Sequence, residues 1–338
     1  MTATDQSLLL RALVDELARA GMREAVTAPG SRNSPIIQAL VNDPRLRAFS
    51  QIDERCAGFF ALGAAKASGR PVAVTVTSGT AVANLLPAVI EAREAGVPLI
   101  VISADRPAEL RDVGAGQTID QVKIYGSAPK WFSELDVYEA GAERMRWVRS
   151  LACRAYFTAL AGRPGPVHLN VPLREPLLPE QPLPADPEGA GGRAGGAPWV
   201  TIAGEQPPQT LEAPASKRPL LVAGEGAGAS VSRLGIPVLA DPLSGARSGA
   251  SAIAYYDLIL RSPKARAELR PDAIYRVGGL PTSKPLRNWL AELQEVPQIQ
   301  LASGGAWIDP AATVRARHDG LPAGIGASPE WLDSWRGG

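Results

Sequence analysis

Cysteine and histidine are nearly missing from this chain, which holds two of each in 338 residues. Cys56 and Cys153 belong to no C-x-x-C pair, so neither a disulfide scaffold nor a cysteine zinc site is indicated. With only His168 and His318, a histidine metal centre or a histidine-based triad has too few members. No apolar run reaches the roughly 18 residues of a membrane span. The first residues lack the basic stretch and apolar core of a signal peptide, so the expected location is the cytoplasm. Charge of one sign is also absent, with 35 basic against 34 acidic residues and a net charge of +1. Nothing at whole-chain level marks a nucleic-acid or anionic-membrane partner. Lysine is scarce, six beside 29 arginines. An anion site here would therefore rest on planar, permanently charged guanidinium groups.

What remains is ordinary globular material. Apolar residues make up 45% of a chain long enough for two domains, so sizeable cores are expected and wholesale disorder is excluded. The first 175 residues alternate between two periods. Helical spacing covers Leu8 to Ala20, Pro35 to Val41, Ala57 to Ala67, Gly79 to Ala95 and Ala142 to Leu160. Strand runs cover Glu24 to Ala28, Arg47 to Ile52, Pro71 to Thr77, Val97 to Ser103 and Val167 to Val171. Strands separated by helices call for right-handed crossovers and a parallel sheet, here apolar on both faces. Residues 178–217 break the pattern with proline and glycine and are expected to form a linker, 179–217. A second α/β region spans 218–335, with strands at Pro219 to Ala223, Ile236 to Ala240, Ala273 to Val277 and Gln298 to Leu301, and a helix at Pro285 to Leu293. The fold class is thus α/β, two doubly wound, mostly parallel-sheet domains.

Ligands of such sheets bind beyond the carboxyl ends of the strands. Four segments sit there. Pro29-Gly30-Ser31-Arg32-Asn33-Ser34-Pro35 has a tight-turn glycine, helix-capping residues and a first-turn proline, which capping alone would explain. Arg32 within that turn adds a group that grips a carboxylate or phosphate. Asp53-Glu54-Arg55 opens an apolar helix, where acidic residues match the dipole. At the ligand edge, a buried Glu54 would have a raised pKa and could exchange a proton with a heterocycle. Thr77 to Asn84 brings small residues and backbone N–H groups close to a planar ligand, without a dinucleotide or P-loop spacing. Asp105-Arg106-Pro107 sets a cation at the same edge. Gly224-Glu225-Gly226-Ala227-Gly228 after a strand superficially suggests a nucleotide loop, and His168, alternating within a strand, suggests a core residue.

Together these segments resemble one family in order and spacing. Ala28 to Pro35, Ile52 to Arg55, Thr77 to Asn84, Ala104 to Pro107 and Gly165 to Leu177 resemble the 2-succinyl-5-enolpyruvyl-6-hydroxy-3-cyclohexene-1-carboxylate synthases, thiamine-diphosphate enzymes of menaquinone biosynthesis. The likeness is strong over about 5–178 and weaker over 218–335, through Asp241 to Ser244 and Gly278 to Leu290. It implies a pyrimidine-binding domain, 1–178, and a central domain, 218–335. It also implies decarboxylation of 2-oxoglutarate on the cofactor and addition of the resulting four-carbon unit to isochorismate. Glu54 matches the glutamate that hydrogen-bonds N1′ of the aminopyrimidine, with Ser78, Gly79, Thr80 and Gln117 near the cofactor. Ser31, Arg32, Asn33, Arg106, Gln117 and Lys284 match positions that line the substrate pocket. Two departures stand out: Gly116 replaces the usual asparagine before Gln117, and Pro285 stands where some members have arginine.

The family holds the diphosphate and its Mg²⁺ in a further domain marked by Gly-Asp-Gly, which does not occur here. Asp319-Gly320 leaves too few residues for such a domain, and Trp331 to Gly338 resembles the point where it would begin. The expectation is a C-terminal domain absent from this sequence, an isolated chain without activity, and a homodimer or homotetramer. An acetolactate-synthase-type carboligase and a non-catalytic α/β binding subunit are the competing readings.

Overall fold

A computed structural model describes residues 2–135, 139–201, 216–301, 308–318, 325 and 329–337, with only the backbone considered at 317 and 318. Two compact units, 1–204 and 205–338, divide the chain.

In the first unit, helix α1 (Ala3–Ala20) starts earlier than its apolar periodicity suggests. Thr2 and Asp5 form a capping box that satisfies the exposed N–H groups of the first turn, with bonds of 2.7 and 3.2 Å. Strand β1 (Glu24–Thr27) follows, then α2 (Ser34–Asn42), β2 (Arg47–Ser50), α3 (Glu54–Ser68) and β3 (Val72–Val76). The stretch expected as one helix over Gly79 to Ala95 is two, α4 (Thr80–Ala83) and α5 (Leu86–Ala95). Pro87 is the reason, because its ring fits a first helical turn but not a helix interior. Strands β4 (Leu99–Asp105) and β5 (Trp131–Glu134), helix α6 (Ala142–Leu160) and strand β6 (Pro166–Pro172) complete the unit. The half-buried β5 is an edge strand too short and irregular in pattern to be legible in sequence.

The sheet runs β2-β1-β3-β4-β6-β5 with every pairing parallel. One face carries α1, α2 and α6 over a core that includes Leu13, Leu17, Ile36 and Val148. The other carries α3, α4 and α5 around Ala61, Val82 and Val89. Ala57, Gly58, Ala61 and Ala65 of α3 face inward: at Gly58 a Cβ would lie 3.0 Å from Ala88 and from Leu85. Its larger Phe59 stays exposed, as do Leu86 and Ile90 on α5.

Residues 179–201, expected as the front of a linker, lie along the first unit. Arg149, almost fully buried on α6, donates to Asp186, to the Ala190 carbonyl at 2.7 Å and to Glu16 at 2.9 Å. Trp199 donates its backbone N–H to Glu16. The rest of that stretch, 202–215, lies outside the described residues.

The second unit holds β7 (Pro219–Ala223), β8 (Val238–Ala240), α7 (Tyr256–Ile259), α8 (Pro263–Glu268), β9 (Ala273–Val277), α9 (Lys284–Glu292), β10 (Gln298–Leu301), β11 (Val314–His318) and α10 (Pro329–Arg336). Its sheet is parallel throughout, in the order β11-β10-β9-β7-β8. Trp331 to Arg336, expected to mark the start of a further domain, packs into this unit: Trp331 and Trp335 are buried with Trp289 in its core. Trp331 also donates its indole N–H to the Pro219 carbonyl at 2.8 Å. In the Gly224 to Gly228 loop, which suggests a nucleotide loop only superficially, the N–H groups of Gly224, Ala227 and Gly228 already donate to backbone carbonyls. Its glycines serve close packing instead: a Cβ on Gly224 would lie 1.7 Å from the Gly279 carbonyl oxygen. Asp319-Gly320 falls outside the described residues.

Candidate active site at the carboxyl edge of the first sheet

Sheet order decides where the crevice lies. From β1 the chain leaves through α2 on one face, and from β2 it returns through α3 on the other, so the connections diverge between β1 and β3. Such a divergence opens a crevice at the carboxyl ends of the strands. The loops 28–33 and 77–80 flank it. They touch where Gly30 meets Thr77: a Cβ on Gly30 would lie 2.4 Å from the Thr77 Cβ. Only glycine lets the two loops approach this closely.

Arg32 is buried in this crevice, with Nη1 donating to the Leu173 carbonyl at 2.9 Å and Nη2 to Glu175 at 3.0 Å. Its Nε is buried without a partner. Asn33 donates to the Ala28 carbonyl at 2.9 Å, while its Oδ1 is buried without a partner. Ser31 is exposed. Arg106, at the end of β4, donates to the Ser78 hydroxyl. Burial lowers its pKa, and the neighbouring Arg32 guanidinium lowers it further. Two guanidiniums thus share one edge, partly offset by Glu175, whose side chain is 73% exposed.

The second loop is held by Gln117, which is exposed and adopts φ 57°. Its amide donates to the Ser78 carbonyl at 3.1 Å, and its own carbonyl accepts from the Ser78 hydroxyl at 3.1 Å. Gly79 has φ 80°, a conformation that favours glycine, and Thr80 is exposed.

Behind these loops runs a buried polar network that sequence reasoning missed. Gln121 accepts from the Gly79 N–H at 2.8 Å and donates to the Ala104 carbonyl and to Asn170, both at 3.0 Å. Asn170 donates to Asp105 at 2.8 Å and to Glu134 at 3.0 Å. Asp105 caps the Arg106 N–H at 2.7 Å and pairs with Arg111 at 2.9 Å. Burial raises the Asp105 carboxyl, against the opposing pull of Asn170 and Arg111. Ser103 donates to Asn170 at 2.9 Å, so its oxygen is left to accept from His168 Nε2 at 2.7 Å. The one available signal was the pair His168 and Asn170, two polar residues on the same side of an otherwise apolar strand.

Glu54 opens α3 at the end of β2, behind the Asp53 N-cap, which accepts from the Cys56 N–H at 3.0 Å. Among the described residues, no hydrogen bond or ion pair reaches its carboxylate or links it to Arg32, Ser78 or Arg106. It is half-buried rather than buried as expected, because this rim of the sheet is open: the neighbouring Ile52 is 89% exposed. Lys284 lies in the second unit, at the first turn of α9, where it lines a cavity of about 390 Å³ with Arg247, Arg261 and Asp257. Of the sequence-predicted residues, the structure therefore joins Arg106, Ser78 and Gln117 by hydrogen bonds, brings Arg32 near enough to act on Arg106 electrostatically, and sets Glu54 on the same sheet edge.

No cluster of three or more histidine, cysteine, aspartate or glutamate residues suited to a metal ion exists among the described residues. No helix among them is long and apolar enough to cross a membrane. For the thiamine cofactor the fit is better, since an unpartnered half-buried carboxylate and a glycine-shaped crevice share one edge.

Residues 9–124 match the family described as thiamine pyrophosphate enzyme, N-terminal TPP binding domain. Proteins named 2-succinyl-5-enolpyruvyl-6-hydroxy-3-cyclohexene-1-carboxylate synthase are similar over most of the chain. The one from Geobacillus kaustophilus is 43% identical over 90% of this chain and 55% of its own length. The one from Thermobifida fusca is 44% identical over 95% and 59%, and that from Halobacterium salinarum 41% over 94% and 61%. The chain spans little more than half the length of these curated relatives. It is a homologue of the 2-succinyl-5-enolpyruvyl-6-hydroxy-3-cyclohexene-1-carboxylate synthases, and its first unit carries their thiamine-pyrophosphate-enzyme N-terminal domain.

Proposed function

We propose that this chain forms the aminopyrimidine-binding and substrate-binding part of a thiamine-diphosphate-dependent carboligase, acting on 2-oxoglutarate and isochorismate in menaquinone biosynthesis. The observation that carries the reading is the arginine pair. Isochorismate has two carboxylates, and the partnerless Arg32 Nε and the adjacent Arg106 give this edge unfilled donor capacity of the matching sign. An acetolactate-type enzyme, whose acceptor is a monocarboxylate, has no need of the pair.

When bound, thiamine diphosphate supplies the electron sink for the decarboxylated acyl group. The residues of this chain do the rest. Glu54 holds a proton at N1′ of the aminopyrimidine, and the lack of a competing partner among the described residues leaves the carboxylate free for that bond. Ser78 and Gly79 let backbone approach the planar ring, and Gln117 fixes that loop. Arg32 and Arg106 orient the acceptor by its carboxylates, with Ser31 and Asn33 beside them. The diphosphate and its Mg²⁺ are held by groups other than the described residues of this chain. The exposed apolar side chains of α3 and α5 support assembly as a homodimer or homotetramer.

The test uses a chimera that joins this chain to the remaining length of the Thermobifida fusca synthase. Turnover is expected with isochorismate and not with pyruvate as acceptor. Glu54→Gln should lower kcat by at least about 10²-fold. Near-normal turnover of that variant would refute the assignment. The 338-residue chain alone should bind thiamine diphosphate and Mg²⁺ weakly in calorimetry, and micromolar affinity would contradict the division of labour.

A further inference from the structure

On the face of the first unit that carries α1 and α2 lies a cavity of about 420 Å³, within the ordinary range of small-molecule sites. Helices α1 and α2, the turn 43–45, and Leu183 and Asp186 of the strap formed by residues 179–201 line it. Nothing in the proposed reaction uses it.

Its hydrogen-bonding inventory is lopsided. Every carboxylate oxygen in the wall is already taken by a guanidinium. Asp15 accepts from Arg45, Arg19 and Arg149; Asp43 accepts from Arg45; Asp186 accepts from Arg11 and Arg149. With Glu16 paired to Arg149, four guanidiniums balance four carboxylates. The donors are not used up. Arg11 spends only Nη2, and Arg45 leaves Nη1 free. The Ser7 hydroxyl is buried without a partner. The carboxamides of Gln38 and Asn42, one turn apart on α2, make no hydrogen bond within the described residues. Val14, Ala39 and Leu183 supply apolar floor.

We propose that this cavity is a binding site for a small carboxylic acid with an apolar body. The spare guanidinium edges and the carboxamides would take the carboxylate, and the apolar floor the body. A cation finds no free carboxylate there, and a fully polar anion would leave the floor unfilled. The ligand would also act at a distance. Helix α2 is both the wall of the cavity and the element whose N-terminus carries Arg32 and Asn33. Occupancy that immobilises α2 steadies the crevice loop at its start, a coupling between two sites through one rigid element.

The experiment titrates the 338-residue chain calorimetrically with cyclohexanecarboxylate, with cyclohexanecarboxamide as the uncharged control. Hydrogen exchange of residues 28–35 is followed with and without the acid. Expected are saturable binding of the acid, at least about tenfold weaker binding of the amide, and slower exchange in 28–35. Gln38→Trp, at an exposed position, fills the cavity and should weaken binding of the acid at least about tenfold. Asn42→Leu, the milder change, should weaken it measurably with the far-UV spectrum unchanged. No saturable binding up to about 10 mM, equal binding of acid and amide, or undiminished binding in both variants would overturn the site. Binding with unaltered exchange at 28–35 would overturn its link to α2.

Discussion

His168 offers a quantitative test of the buried network. Its ring is fully enclosed between Ser103, Tyr125 and Phe132, and burial pulls its pKa down to about 3. In the unfolded chain it titrates near its ordinary value of 6.5. Between those values the unfolded chain binds a proton that the folded one refuses, so stability falls as pH drops through that window. The slope approaches about 1.4 kcal/mol per pH unit, and the loss from pH 7 to pH 5 is about 2 kcal/mol. Below about pH 3 the contribution is exhausted. Asp105 acts in the opposite sense, since its raised carboxyl makes the folded chain the better proton binder above the ordinary aspartate value. Comparison with His168→Gln cancels that contribution. Hydrogen exchange of β4 and β6 amides in both proteins at pH 7 and pH 5 reports the stability of the first unit by itself. The variant is expected to lose about 2 kcal/mol less than the parent over this interval. If the two proteins lose equally, or if the His168 resonance titrates near pH 6.5, the enclosed neutral imidazole is wrong.

Three further outcomes follow from the geometry. Gly30→Ala forces the buried Thr77 to move and should destabilise the first unit by about 1–3 kcal/mol, read in the same exchange experiment. Trp331→Ala removes an indole packed against Trp335 and hydrogen-bonded to Pro219. It should cost the second unit about 3–5 kcal/mol in urea unfolding and leave exchange in β1 to β6 unchanged. Glu175→Gln removes the carboxylate that competes for Arg32; in the chimera, KM for isochorismate should fall with kcat unchanged, and a raised KM would show that Glu175 assists rather than competes.

Strands and the long helices were legible because their residues repeat with the period of the element. Pro219–Ala223, Ala273–Val277, Gln298–Leu301 and Ala142–Leu160 appear with the bounds their apolar pattern suggests. The half-buried β5 carries no such pattern, and α10 has two buried tryptophans whose partner, Trp289, is distant in sequence. At the site, Arg32 and Arg106 were visible because strand ends in a parallel sheet share one edge. Gln121 was not, because a buried amide that ties one loop to another depends on where the sheet brings residues 79, 104 and 170 together.

The strap that Arg149 clasps bears on how this protein can be dissected. Composition changes at residue 178, which invites a cut there to obtain the first unit alone. Such a fragment would strand a nearly inaccessible guanidinium without Asp186 and the Ala190 carbonyl, and Glu16 without the Trp199 amide. An autonomous fragment has to run through Val200, whose N–H meets the Cys153 sulfur at 3.4 Å. Truncations on either side of that point will separate a stable piece from an aggregating one.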